Sequence, residues 1–206
     1  VVGNEEIIKL LGAAKRAGVK VNGHCPSMGF RDVQQAACAG LCDDHECESI
    51  SDLEQRLACG MAVLVREGTI EPNCRTLCEG IVKNHIPTDD IMFCTDDKSA
   101  EDIKENGCID NALRIAVKCG VSPVSAIKMA TLNVARHYGV DDIIGSVAPS
   151  RKANFLLMDS LENMTVKKVY NQGRLVAENG EFLCRHEFDI TRYPELKNTV
   201  ILPRGL

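Results

Sequence analysis

The sequence lacks a basic stripe. Lysine and arginine number 24 against 29 aspartates and glutamates, a formal net charge of −5. That balance argues against nucleic acid or an anionic membrane as a partner, because both are recognised by concentrated positive charge. No apolar run approaches the roughly 20 residues that a membrane-spanning helix needs. The opening Val1-Val2-Gly3-Asn4-Glu5-Glu6 has no basic start followed by an apolar stretch, so no secretory signal is expected there. An initiator methionine is missing as well, and the chain is expected to be a fragment or a processed product. There is no internal repeat and no low-complexity segment. Histidine is scarce, at five residues.

What is present describes an ordinary globular protein with a sizeable core: 45% hydrophobic and 26% charged residues in 206. Eleven cysteines are many for this length. Their number is odd, and Cys38, Cys59, Cys78, Cys94 and Cys119 stand inside apolar periodic segments. They read as reduced, buried small hydrophobes in a cytoplasmic protein rather than as a disulfide framework. One cluster invites another reading. Cys42-Asp43-Asp44-His45-Glu46-Cys47 packs soft-metal ligand types into six residues. A structural zinc module using Cys42, His45 and Cys47 is therefore an alternative, although the paired CxxC spacings of such modules are missing. Cys74 and Cys78 form only a CxxxC on an expected helix.

Two textures alternate along the first two thirds. Helices are expected over Asn4 to Ala17, capped by Asn4, and over Arg31 to Ala39. Further helices follow over Ser51 to Ala58, Arg75 to Asn84 and Asp110 to Cys119. Ser51 with Glu54 reads as a capping box. A last helix should start at Ser122-Pro123 and run to about Tyr138. Between them lie short strands: Val19 to Gly23, Gly40 to Asp43, Met61 to Val65 and Ile91 to Thr95. Short apolar strands alternating with helices mean parallel strands joined by helical crossovers.

Each strand runs into ionisable residues. His24 follows the first, Asp43-Asp44-His45-Glu46 the second, Arg66-Glu67 the third and Thr95-Asp96-Asp97 the fourth. In (β/α) barrels the rim at the C-terminal ends of the strands is where active sites are built. Two histidines with aspartates on that rim make a divalent-metal ligand set. After Gly145 the texture changes to short alternating runs, 154–158, 166–170, 174–176 and 181–183, with turns at Asn171-Gln172-Gly173 and Glu178-Asn179-Gly180. The tail is expected to be antiparallel β structure.

Several stretches carry a resemblance. Val21-Asn22-Gly23-His24-Cys25-Pro26 resembles a V-D-G-H-A-P motif, and Asp43-Asp44-His45-Glu46 resembles S-D-H-E. Met61 to Thr69 resembles an R-E-G-S run, and Phe93-Cys94-Thr95-Asp96-Asp97-Lys98 resembles F-x-T-D-D-R. Ala130 to Ala135 and Gly145 to Pro149 match patterns shared widely in one superfamily. Together they are similar to the adenine deaminases of the amidohydrolase superfamily, and the likeness spans nearly the whole chain.

The resemblance implies a metal-dependent barrel hydrolase converting adenine to hypoxanthine and ammonia. It implies an α/β fold in which residues 1–145 are the second half of a (β/α)8 TIM-type barrel, about strands 5–8, and 146–206 part of a β-sandwich. His24, His45 and Asp96 would be metal ligands, the histidines from strands 5 and 6 and the aspartate from strand 8. Asp96 would also take a proton from water and hand it to the leaving nitrogen. Glu67 would reach a purine nitrogen, its plain alternative being a rim salt bridge with Arg66. The metal would be Mn²⁺ or Fe²⁺, with Zn²⁺ as an alternative, and the complete protein a homo-oligomer.

Asp97 reads as structural, and Cys25 as a small filler rather than a nucleophile. His85, His137 and His186 receive no role. The HxH pair and strand 4 carboxylate of the family are found nowhere in the chain, so these 206 residues alone are expected to be inactive and prone to self-association. Another amidohydrolase of dihydroorotase or deacetylase type is the neighbouring functional alternative.

Overall fold

The computed structural model of the chain describes residues 4–184, 189–196 and 199. His186 lies outside the described residues. The first helix, α1 (Glu5–Arg16), starts as expected: the Asn4 side chain accepts hydrogen bonds from the Glu6 and Ile7 N–H groups. Strand β1 is only Val21–Asn22, shorter than the expected 19–23. Val19 is drawn off instead, its N–H donating to the Ala14 carbonyl at the end of α1. Then follow α2 (Phe30–Ala39), β2 (Leu41–Asp44), α3 (Ile50–Ala58), β3 (Ala62–Arg66), α4 (Cys74–Lys83) and β4 (Ile91–Cys94). The four strands form one parallel sheet in the order β1-β2-β3-β4, leaving β1 and β4 as its outer strands.

Local choices differ from the sequence expectation where two signals competed. The capping box of α3 is Ser49 with Asp52, two residues before Ser51 with Glu54. Both pairs have the right spacing. The earlier start brings Ile50 into the helix, where its side chain fills the space over Gly80 of α4. A β-carbon on Gly80 would come within 2.7 Å of Ile50 Cδ1. Helix α5 (Ala100–Asn106) is absent from the expectation because it buries no residue and so carries no apolar period. It is capped by Ser99.

After α6 (Ile109–Lys118), the expected single helix from Ser122 is two: α7 (Pro123–Ala130) and α8 (Leu132–His137), broken at Thr131. Thr131 leaves helical geometry, with φ −138° and ψ −82°, while its hydroxyl donates to the Ile127 carbonyl. The break turns α8 so that buried Asn133 meets the edge of β4. Its Nδ2 donates to the carbonyls of Thr88, at 2.7 Å, and Ile91, at 2.9 Å. The side-chain amide thus serves the Ile91 carbonyl on the outer side of β4 and shares the Thr88 carbonyl with the Ile91 N–H.

The core lies between the sheet and its helices. Val63, Val65, Ile91 and Phe93 pack against Leu53, Leu77, Ile81, Leu113 and Met129. The tail forms a second, antiparallel sheet, β5 (Phe155–Met158), β6 (Val166–Asn171), β7 (Arg174–Glu178) and β8 (Glu181–Phe182). Its two hairpin turns carry positive φ at both central residues, Gln172-Gly173 and Asn179-Gly180, the mirror-image turns that match strand twist. Buried Met164, with Met158 packed beside it, joins this sheet to the main core. No helix among the described residues is long and apolar enough to cross a membrane.

Asn133→Ala should lower the unfolding free energy by about 1–3 kcal/mol, the cost of leaving the buried Ile91 carbonyl unpaired. Urea unfolding followed by circular dichroism measures it. An unchanged midpoint would mean that water takes the place of the amide at the Ile91 carbonyl.

Candidate metal and catalytic site

The rim at the C-terminal ends of β1 to β4 brings together residues far apart in the chain. Gly23 makes the first approach possible. Its N–H donates to the carbonyl and to Oδ1 of Asp43, and a β-carbon there would collide with the Asp43 carbonyl oxygen. Only glycine lets the end of β1 lie this close to β2. The next residue, His24, then faces His45 beyond the end of β2. His24 Nδ1 is 3.3 Å from His45 Nε2.

A buried ion pair fixes the two loop ends. Arg56, reaching up from α3, donates Nε to Asp44 Oδ2 at 3.0 Å and Nη2 to the Cys25 carbonyl at 2.8 Å. Asp44 Oδ1 in turn accepts the N–H groups of Cys25, at 3.1 Å, and Glu46, at 3.3 Å. Asp44 and Arg56 are 0% and 1% exposed. The residues flanking the two histidines are therefore tied to one another through a single carboxylate–guanidinium pair. Cys25 is buried in this knot, and burial pushes its thiol up to about 11, which suits a filler and not a nucleophile.

Glu46 and Arg66 complete the rim. Glu46 Oε1 lies 3.4 Å from His24 Nδ1 and 3.2 Å from His45 Nε2. It accepts a 2.6 Å hydrogen bond from Arg66 Nη1. The same Nη1 is 3.5 Å from Asp96 Oδ2, and Asp96 Oδ1 is 4.0 Å from His45 Nε2. Asp96 has φ +53°, a left-handed conformation uncommon for a residue with a β-carbon. His24, His45 and Asp96, singled out in the sequence, are thus gathered on one rim. Glu46 and Arg66 were not singled out. The signal available for them was their place in the two matched motifs, beside His45 and Glu67.

Glu67 stands elsewhere. Successive side chains of a strand point to opposite faces, so with Arg66 turned to the rim the next residue turns away. The Glu67 carboxylate accepts the backbone N–H of Cys74 at the head of α4 and has Lys98 nearby. Burial raises its pKa above the ordinary carboxylate range. In place of the alternative salt bridge with Glu67, Arg66 pairs with Glu46, Asp96 and Glu71. Asp97 is structural as expected: its Oδ2 accepts the Ile70 N–H at 2.6 Å. Gly68 leaves the room, since a β-carbon there would collide with the Asp97 carboxylate.

The donor set fits a small divalent cation. Two nitrogens each about 2.0–2.1 Å from a tetrahedral ion lie roughly 3.3 Å apart, and the two imidazole nitrogens are separated by 3.3 Å. A second group, Cys42, Asp43 and His137, fits less well. His137 Nε2 is already 2.6 Å from Asp43 Oδ2, a direct bond that closes the space between them. His137, given no role from sequence, ties α8 to β2 through this contact. Among the described residues Cys42, His45 and Cys47 do not converge as one donor group, which removes the structural zinc module. Cys47 belongs to the apolar core, where burial pushes its thiol up to about 12.

Residues 1–176 match the family model described as the amidohydrolase family. The chain is 42% identical over 178 residues to an adenine deaminase of Nitratidesulfovibrio vulgaris strain DP4, covering 86% of this chain and 30% of that protein. It is 36% identical over 203 residues to an adenine deaminase of Desulforamulus reducens, covering 98% and 34%. The chain therefore spans about a third of the length of the curated relatives it matches. Among solved structures, the β-aspartyl dipeptidase of Fervidobacterium islandicum AW-1 superposes with a TM-score of 0.67 at 17% identity, covering 90% of this chain and 56% of that one. The N-acetylglucosamine-6-phosphate deacetylase of Pasteurella multocida gives 0.66 at 14%, covering 83% and 54%. These two share the fold.

Breaking the buried pair should be costly. Arg56→Met, which strands the Asp44 carboxylate, should remove about 3–5 kcal/mol of stability. Asp44→Asn combined with Arg56→Met should recover part of that loss. Denaturant melts of both variants decide the matter: a single variant that unfolds like the parent would show that the pair does not hold the rim.

Proposed function

The chain belongs to the amidohydrolase family, and from that membership we propose that the protein it comes from hydrolyses adenine to hypoxanthine and ammonia. The observation that carries the proposal is the convergence of His24 Nδ1, His45 Nε2 and the Asp96 carboxylate at one strand-end rim. The adenine deaminase relatives choose the substrate.

In this reading residues 1–145 are the second half of a (β/α)8 barrel, and 146–206 are part of a flanking β-sandwich. The open four-stranded parallel sheet, whose β1 and β4 have no strand on their outer sides among the described residues, supports the division. His24 and His45 would hold a divalent cation, Mn²⁺ or Fe²⁺ by the likeness to the adenine deaminases, Zn²⁺ being the alternative that the tetrahedral spacing of the two nitrogens suits. A cation so held supplies Lewis acidity, which lowers the pKa of water from 15.7 towards about 7. Asp96 accepts the proton that water gives up as its oxygen bonds to C6 of adenine. It returns that proton to the exocyclic nitrogen, which leaves as ammonia when the C6–N bond breaks. Arg66 holds the Asp96 carboxylate on the rim. Glu67, with its carboxylate at the head of α4, ties the end of β3 that carries Arg66 to that helix rather than meeting the purine. The complete protein is a cytoplasmic homo-oligomer.

Ammonia release from adenine by the complete protein with Mn²⁺ tests the proposal. Asp96→Asn should cut the rate by about 10²–10⁴-fold and keep the metal, as befits a lost proton carrier. His24→Ala and His45→Ala should lose metal and activity together. Glu67→Gln should keep most activity. The 206 residues alone should release no ammonia, because the HxH pair is nowhere among them. Faster turnover of dihydroorotate or of an N-acetylated sugar phosphate would move the protein to another branch of the family.

A further inference from the structure

We infer that Glu46 is a third protein donor to the divalent cation at this rim, beside His24 and His45. The inference rests on the reading of the rim as a metal centre and adds a ligand to it. One oxygen carries the case. Glu46 Oε1 is 3.4 Å from His24 Nδ1 and 3.2 Å from His45 Nε2, and the two nitrogens are 3.3 Å apart. The three atoms form a nearly equilateral triangle. Each edge matches the roughly 3.3 Å separation of donors around a small tetrahedral ion. Asp96 approaches less closely, its Oδ1 lying 4.0 Å from His45 Nε2.

The second donor group among the described residues shows what a closed cluster looks like. Among Cys42, Asp43 and His137 the separations are 2.6, 3.7 and 3.9 Å, so one edge is a direct hydrogen bond and the triangle is skewed. At Glu46 no edge is short. The three contacts, one between the imidazoles and two from them to the carboxylate, are of even length, so the triangle stays regular.

Burial adds a second reason. Glu46 is 8% exposed, and a carboxylate taken out of water needs charge-assisted partners. Arg66 Nη1 supplies one at 2.6 Å and aims the carboxylate at the histidines. Arg66 is in turn steadied by the Asn73 side chain, which accepts from Nε at 3.2 Å. The backbone N–H of Glu46 is pinned by Asp44. The donor is therefore preorganised from both ends, as a metal ligand on a rigid strand end should be.

Glu46→Gln in the complete protein tests the assignment, with Co²⁺ as the probe. Co²⁺ reports its coordination through its visible absorption bands, and competition with a chelator gives the affinity. The expected result is at least about 10-fold weaker Co²⁺ binding, since loss of even an outer partner of a ligand costs 10–100-fold, together with altered visible bands. Unchanged affinity and bands in a normally folded variant would overturn the inference. Should the lone change unfold the protein by stranding Arg66, Glu46→Gln with Arg66→Met removes both charges, and the same loss of Co²⁺ is expected of it. His24→Ala and His45→Ala separate the two levels of the reading. If they lose Co²⁺ while Glu46→Gln keeps it, only the Glu46 assignment fails. If they also keep it, the metal rim itself fails.

Discussion

One ion pair holds the rim together. Asp44 and Arg56 meet with both side chains almost wholly removed from water, at a separation of 3.0 Å. Such a pair gains little net stability by itself, because desolvation of two charges offsets their attraction. Its value here is directional. The carboxylate also takes the backbone N–H groups of Cys25 and Glu46, and the guanidinium takes the Cys25 carbonyl. Each of these lies next to a histidine of the rim. The flexible ends of two separate strands become one rigid piece, and the imidazoles are left facing each other at 3.3 Å.

Two glycines do the steric part of the same task. At Gly23 the main chain touches the Asp43 carbonyl, and at Gly68 the Asp97 carboxylate occupies the place a β-carbon would need. Both residues sit in motifs beside rim side chains, one before His24 and one after Arg66-Glu67. Any larger residue would push β1 away from β2, or the loop after β3 away from that after β4. Close backbone approach and correct donor spacing are thus one requirement.

Arg66 balances the charge that this spacing creates. Its guanidinium serves Glu46, Asp96 and Glu71, three carboxylates from three different loops, and the Asn73 side chain as well. A planar fork of five donors can do this, whereas the three-donor point charge of lysine would reach fewer partners at once. The carboxylates nearest the histidines are in this way held in place by a cation belonging to the protein. Asp96 keeps its uncommon left-handed backbone within this arrangement, which is where strained residues of functional rims are found.

The period of apolar residues determined the alternation of β1 to β4 with helices, and the turn residues Gln172-Gly173 and Asn179-Gly180 determined the hairpins of the second sheet. These signals are local, acting over a few residues, and so are legible in order along the chain. The candidates His24, His45 and Asp96 were legible for the same reason, each following an apolar strand. What packing decided lay beyond that range. The start of α3 was settled by Ile50 resting on Gly80, and the break at Thr131 by Asn133 reaching the edge of β4. Helix α5 had no apolar face to read. At the rim, Glu46 and Glu67 are both acidic residues next to a promising neighbour, and nothing in the string separates them. Only the fold turns one towards the histidines and the other to the head of α4. The reason is that a side chain's direction at a strand end depends on register and on partners from distant segments, here Arg66 and Arg56, which meet the histidine loops only after the sheet has formed.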